Sequence, residues 1–407
     1  MYHRSNNKIR LKIYTIELKL FPLIMIKFKK YIIFFTILLF LFIPKNIFSF
    51  MDYPYGVGFQ MIQIPLLPID NVNPGQGKFS MRVSGRLMNA FSLQTNRFII
   101  DGEEGQIEPS LRYALSDYTQ IGFSLPFMAR GGGFLDHSIE TFHRITGVTQ
   151  GGRDHYPRNQ FNISYEPLAQ YYPLFDSTPL QAYLNRNFDQ REYPRNSNDQ
   201  PIQFSKQNDL IHNLVINKYY PYLNEYRTED YINNFNSVAR GNPKLFFQTT
   251  VLKGSFWFDK ITIGNQVRFA TKTSELIGTP GNDVSIFGIY HKDWFDGRVN
   301  WKLGVSYTRF EFAKYRNLDL RKDEWTIRPS LTYNMNENWK LHFEYVYFPS
   351  TILRFGRLSE PAHQIGIGTS YKYKDYQLQF ALFENLITYS ITPDIGFLLS
   401  IEKTTFN

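Results

Sequence analysis

The chain predicts a single all-β domain, an antiparallel transmembrane β-barrel of about 12 strands. Three observations predict it. A basic and then apolar segment near the amino terminus reads as a secretion signal. Period-two alternation recurs through the remainder. The final strand alternates cleanly and ends beside an aromatic residue, Phe406.

Lys27, Lys29 and Lys30 open the amino-terminal segment. Tyr31 to Ile43 is apolar, Pro44 breaks the run, and Ser49 gives a small residue for cleavage before Phe50. This is the layout of a signal peptide over 25–49. The apolar run is short for a membrane-spanning helix. Met25 puts the basic segment at the start, so residues 1–24 read as a misassigned upstream extension. Residues 50–407 then form the barrel.

Charge follows the same division. Residues 1–49 hold nine Lys or Arg against one Glu, a net +8 of the chain's +9, so the remainder is close to neutral. That excludes a general nucleic-acid surface. The absence of cysteine excludes a disulfide framework and thiolate chemistry. No later stretch suits a membrane helix, and lipid cannot satisfy an open sheet edge. A closed barrel is the remaining spanning solution.

The strands show as alternation. Val299, Trp301, Leu303, Val305 and Tyr307 oppose Asn300, Lys302, Gly304, Ser306 and Thr308. Trp339, Leu341, Phe343, Tyr345 and Tyr347 oppose Lys340, His342 and Glu344. Residues 79–87, 261–269, 364–373 and 376–382 behave alike. Short turns fall near Ser116–Asp117, Asp259, Asp293–Gly297, Asn334–Asn338 and Lys374–Asp375. Longer polar loops fall at 89–106, 271–283, 311–323 and 349–361. Alternating short turns and long outer loops are the habit of outer-membrane barrels.

Residues 128–243 alternate little and are rich in Asn, Tyr and Pro. As one outer loop or plug region they leave about 12 strands. If 159–165 and 210–216 also span, the number is 14. A soluble β-sandwich or lectin-like barrel is the competing fold. Signal and terminal strand together weigh against it.

Asp394, Gly396, Leu399, Ile401 and Phe406 resemble the carboxy-terminal assembly signal of Gram-negative outer-membrane proteins. That implies delivery to the barrel-assembly machinery and residence among outer-membrane lipid. A second resemblance lies in Gly131-Gly132-Gly133-Phe134-Leu135-Asp136, with Ile139, Glu140 and His143, then Gly151-Gly152-Arg153-Asp154. Glu384-Asn385-Leu386 and Thr392-Pro393-Asp394-Ile395-Gly396 follow near the end. Together these resemble the domain of unknown function family 3187, over about 60–165 and 243–403. The family implies a barrel-like envelope protein and supplies no established activity.

Asp136, Glu140 and His143 have helical spacing, so a short helix from Leu135 to Ile145 presents them on one face. One reading is a carboxylate–imidazole site for metal or acid–base work, completed by Asp154 and His155. The other is an amphipathic helix folded into or over the outer mouth, capped by Asp136, with Arg130, Arg144 or Arg153 pairing the acids. The second has the greater weight. The three glycines lack a nucleotide-binding context, no hydrolase motif appears, and no cofactor or metal is implied.

The inward faces carry Arg82, Arg86, Arg112, Arg268, Lys302 and Arg328 at middle depth. A basic lumen favours anions. Alternatively, these groups pair with loop acids such as Asp101, Glu103, Glu104 or Asp136 and close the pore. The function expected is a channel or passive transporter for small anionic or polar solutes. An outer-membrane enzyme acting on lipid or surface polymer, and a closed scaffolding barrel, are the alternatives.

Overall fold

The computed structural model describes residues 50–53, 57, 64–70, 74–94, 98–147, 153, 156–165, 238–270, 281–315, 318–386 and 392–406. The expected signal peptide at 25–49, Gly151, Gly152, Asp154, His155 and 166–237 lie outside these residues, as does the alternative strand at 210–216.

The strands in chain order are β1 (Phe79–Gln94), β2 (Phe98–Ala114), β3 (Thr119–Ser124), β4 (Phe127–Gly131), β5 (Asn162–Tyr165) and β6 (Val238–Arg240). Then follow β7 (Lys244–Lys253), β8 (Lys260–Arg268), β9 (Asp283–Trp294), β10 (Val299–Arg309), β11 (Lys314–Tyr315) and β12 (Leu318–Asp319). The series ends with β13 (Asp323–Asn334), β14 (Trp339–Phe348), β15 (Ala362–Tyr373), β16 (Tyr376–Asn385) and β17 (Ile395–Phe406). Among the described residues, the one α-helix, α1 (Asp136–Thr146), makes three turns between β4 and β5.

Every pairing is antiparallel, and β1 pairs both β2 and β17, so the sheet closes. The ring contains 12 full strands: β1, β2, β3, β7 to β10 and β13 to β17. Strands β4 and β6 prolong β3 and β7 towards the long-loop end. Prolines explain the interruptions. Pro126 and Pro243 cannot donate to the ladder, so each strand breaks beside its proline. The breaks lie side by side, and the Gly241 N–H bonds the Pro126 carbonyl at 2.8 Å.

Segment 159–165 does not span. Its β5 portion pairs only the upper end of β2. The 89–106 loop expected from sequence is strand instead: Asn89 pairs Glu103, and the ladder runs to Gln94 and Phe98. Its polar composition misled because both faces there are covered.

The terminal strand closes the ring against β1 from Asn89–Ile395 to Phe79–Phe406. Phe397, Leu399 and Ile401 face outward, while Ser400 and Glu402 are buried inside. Many outward positions elsewhere are apolar, including Ile107, Phe123, Ile263 and Ile286. This is the lipid-facing band that a transmembrane barrel requires. An Ile286→Arg variant should lose stability, with about 2–4 kcal/mol, the cost at the bilayer midplane, as the upper bound. Urea titration of the protein folded in vesicles would measure that loss.

Candidate functional site: an occupied lumen

All six basic residues predicted for the lumen point into it, and each is less than a tenth exposed. Little free space is left beside them. Two stretches of the chain before β1, Phe50–Tyr53 and Ile64–Asp70, run inside the barrel and meet them.

Asp52 receives Arg82 at 3.0 Å and Arg86 at 3.7 Å. Asp70 receives Lys302 at 2.8 Å. The Met51 N–H donates to Glu344 at 2.7 Å. Arg328 joins Glu344 at 2.7 Å and also donates to the carbonyls of Met51 and Pro68. Gln266 and Gln248 donate to the carbonyls of Leu67 and Asp70 at 2.7 and 3.0 Å. The Leu66 N–H bonds the Thr308 hydroxyl at 3.1 Å. An extended segment with Pro65 and Pro68 forms no ladder of its own, so wall side chains satisfy its backbone.

Apolar contacts seat the same segment. The Phe50 ring lies under Lys302 and Arg328, with centroids 5.2 and 4.5 Å from the charged groups, and clusters with Phe287 and Ile289. Tyr53 meets Phe348 and Phe383 edge-on at 6.4 and 5.8 Å. Two wall glycines admit Met51. A Cβ at Gly368 would stand 2.6 Å from the Met51 sulfur, and one at Gly366 would stand 2.8 Å from its methyl. A side chain at either position would crowd Met51 and also the wall, where Phe383 lies 2.6 Å from the Gly366 Cβ position and the Phe380 carbonyl 2.7 Å from that of Gly368.

Most of the basic set also pairs within the wall, apart from Arg112. Arg86 and Lys244 share Glu108, each at 2.7 Å. Arg268 holds Asp283 at 2.6 Å. Arg112 reaches the Asp70 carbonyl at 3.5 Å. The other central arginines are paired, as one alternative from the sequence expects, but with other acids than Asp101, Glu103, Glu104 or Asp136. Glu104 instead holds Arg130, Glu103 accepts the N–H groups of Phe134 and Leu135, and Asp136 holds Arg153. A cavity of about 80 Å³ remains between segment and wall near Asp52, Arg86 and Ser110. It has room for a few waters and little more.

The glycine-rich motif and α1 stand at the long-loop end, but the helix does not enter the lumen. Leu135 and Ile139 pack on Leu87, Leu382, Ile395 and Phe397. These are outward positions, in register with exposed Met81 and Leu399. The helix therefore lies across the outer surface of β1, β17 and β16. It buries the outward residues Asn89, Asp101 and Glu103, which explains why this part of the wall reads as polar loop. Leu135, not Asp136, occupies the cap position, and no side chain caps the helix.

Asp136 accepts from Arg153, from Asn89 at 3.0 Å and from the Asn159 N–H at 2.7 Å. Arg153 also reaches Asp394 at 2.7 Å and stacks 5.0 Å from the Phe91 ring. Glu140 takes Arg158 through both oxygens, at 3.0 and 2.6 Å. His143 lies 3.8 Å from Glu384. Asp136, Glu140 and His143 thus each fasten the helix to a different partner. Among the described residues, the metal-compatible group is Asp259, His291 and Asp293 at the opposite end. Lys292 and Asn300 already bond its carboxylates.

The hydrogen bond and charge of Arg158 hold Glu140 below the ordinary glutamate range despite some burial. A lowered pKa adds stability above the ordinary value, about 4.3, and that stability is lost as pH falls through the folded value. Hydrogen exchange of α1, corrected for intrinsic rates, should therefore stay constant from neutral pH to about 5 and quicken below about 4. Glu140→Gln should show the quickened exchange already at neutral pH.

The match to a family model spans residues 59–191 and 217–404, well over half of the chain. The chain belongs to the DUF3187 family, described as a protein of unknown function. The family model thus takes in the second part of the lumen segment, from Ile64 to Asp70, together with the motif at Gly131 and the closing strand. No curated protein matches the sequence. Solved structures of similar shape include the COG4313 outer membrane channel from Pseudomonas putida F1, with TM-score 0.47 and 10% identity over 83% of this chain and 99% of that one. The KdgM porin in complex with disordered oligogalacturonate gives TM-score 0.36 and 9% identity, over 81% and 99% of the two chains. The Pseudomonas putida toluene transporter TodX gives 0.35 and 8%, over 88% and 100%.

Proposed function

We propose that this protein is an outer-membrane channel for small anionic or polar solutes, closed by its own amino-terminal segment. One observation carries the reading. The segment contributes Asp52 and Asp70 to a lumen whose remaining charge is mainly basic. Seated, it neutralises Arg82 and Lys302. Withdrawn, it leaves those cations facing an aqueous path, and such a ring favours anions. The described stretches of the segment have no ladder bonds to the wall, so they can leave without opening the barrel.

The apolar outer band and the terminal strand support insertion by the barrel-assembly machinery into the outer membrane. The test is planar-bilayer recording under a salt gradient. Wild-type barrels should show rare or small openings. Asp52→Asn/Asp70→Asn barrels should open often, with a reversal potential on the anion side. Frequent openings that prefer cations would refute the role assigned to the lumen bases. Equal closure of both proteins would refute the gate.

A further inference from the structure

The outer wall carries a trench that the barrel does not need. It lies over two neighbouring rows of outward side chains. One row runs Phe380, Leu399, Gly85, Ile107 and Phe127. The next runs Leu382, Phe397, Leu87, Gly105 and Ala129. Gly85 and Gly105 are diagonal neighbours and form the floor. The volume is about 440 Å³, and the lining is almost wholly apolar.

Packing does not account for these two glycines. Inward glycines of the wall are filled by neighbours: a Cβ at Gly122 would strike Phe246 at 2.2 Å, and one at Gly264 would strike Phe287 at 2.3 Å. A Cβ at Gly85 would meet only the Leu399 carbonyl at 3.7 Å, and one at Gly105 only the Ala129 carbonyl at 4.0 Å. Neither has the left-handed backbone that favours glycine. Glycine also weakens a strand. A hollow is the consequence of keeping both.

The helix borders this hollow. Leu135 and Ile139 grip Leu87, Leu382 and Phe397, the upper row of the trench. The polar face of α1, with exposed His137 and Arg144, lies on the far side of that border. Phe134 and Ile145, at its two ends, are 70% and 78% exposed. An apolar hollow in the lipid-facing band, with a polar-faced amphipathic helix along its long-loop edge, matches one kind of occupant. We infer that the trench seats a single acyl chain of an outer-leaflet lipid, with α1 at the level of the headgroups. The inference rests on the membrane placement proposed above. Continuity of the trench with the lipid-facing surface is what favours lipid over a second protein chain.

The test uses the full protein in vesicles doped with a phospholipid whose acyl chain bears a diazirine. Illumination is followed by peptide mapping. Labels should concentrate several-fold on the peptides around Leu87, Ile107 and Phe397, relative to those around Ile263 and Ile286. Gly85→Leu/Gly105→Leu should bring them to the level of the other strands, with the urea unfolding midpoint unchanged. Even labelling of all outward strands in the wild type would overturn the site while leaving the membrane placement intact. No labelling of any strand would overturn both. Protein–protein cross-links at the trench, with lipid excluded, would assign it to a second chain and overturn the lipid reading.

Discussion

Asp70→Ala is expected to release the amino-terminal segment while the barrel stays folded. Lys302 is 3% exposed, and Asp70 is the carboxylate that holds it. Removing one partner of a buried pair typically costs about 3–5 kcal/mol, because a charge is left without compensation in a dry site. The barrel ladders do not involve Asp70, so the cost falls on the seating of 64–70. The chain has no cysteine, so a single Leu66→Cys reporter reads seating cleanly. At 1.4 kcal/mol per tenfold, thiol labelling of that reporter should rise by about two to three orders of magnitude. Asp70→Ala/Lys302→Met removes both charges and should restore much of the protection. Labelling unchanged by Asp70→Ala would show that the pair does not hold the segment.

The second large effect is expected at Arg328. Its guanidinium bonds Glu344, the Met51 carbonyl and the Pro68 carbonyl, and covers Phe50. It therefore ties both described stretches of the segment to β13. Lysine cannot reproduce a planar group with several fixed donors, so Arg328→Lys should also fail. Arg328→Ala leaves Glu344 buried and unpaired, a loss of about 3–5 kcal/mol spread over segment and wall. Arg328→Met/Glu344→Met separates the two. The wall, now apolar at that pair, should recover its urea stability, because replacing a whole buried pair is often neutral. The segment has lost its carbonyl donors and the acceptor for Met51 N–H, so the Leu66→Cys reporter should stay reactive. Recovery of both readouts together would mean that Arg328 supports the wall alone.

Much of the barrel was legible in the sequence because one physical rule repeats. A strand between lipid and lumen must alternate, and β10, β14 and β15 do so at nearly every position. The same rule placed Arg82, Arg268 and Arg328 inside without any knowledge of neighbours. It failed where its premise failed. Asn89, Asp101 and Glu103 are outward yet polar, because α1 rather than lipid covers them. A helix that packs on the outside of a barrel leaves the same local signature as a loop. The spacing of Asp136, Glu140 and His143 correctly implied a helix face, but spacing cannot say which wall that face meets.

The lumen segment escaped for a different reason. Ile64-Pro65-Leu66-Leu67-Pro68-Ile69-Asp70 has neither period, since an extended strand bonded by side chains needs none. Two signals were present all the same. Asp52 and Asp70 stand at the ends of an otherwise uncharged stretch, opposite to the sign of the predicted lumen. Gly304, Gly366 and Gly368 fall on inward faces, where a missing side chain leaves room for a wall neighbour or for a seated segment. Pro68 and Phe50 do lie within 3.0 and 3.2 Å of a Cβ built at Gly304.

The most direct test of the gate compares one molecule with its segment locked and released. Leu66→Cys/Thr308→Cys would join the segment to β10 where the two already touch. Oxidised barrels in a planar bilayer should be closed, and reductant added to the same membrane should produce stepwise anion-preferring openings. Equal conductance before and after reduction, with the disulfide shown to form and break, would contradict a pore closed by this segment.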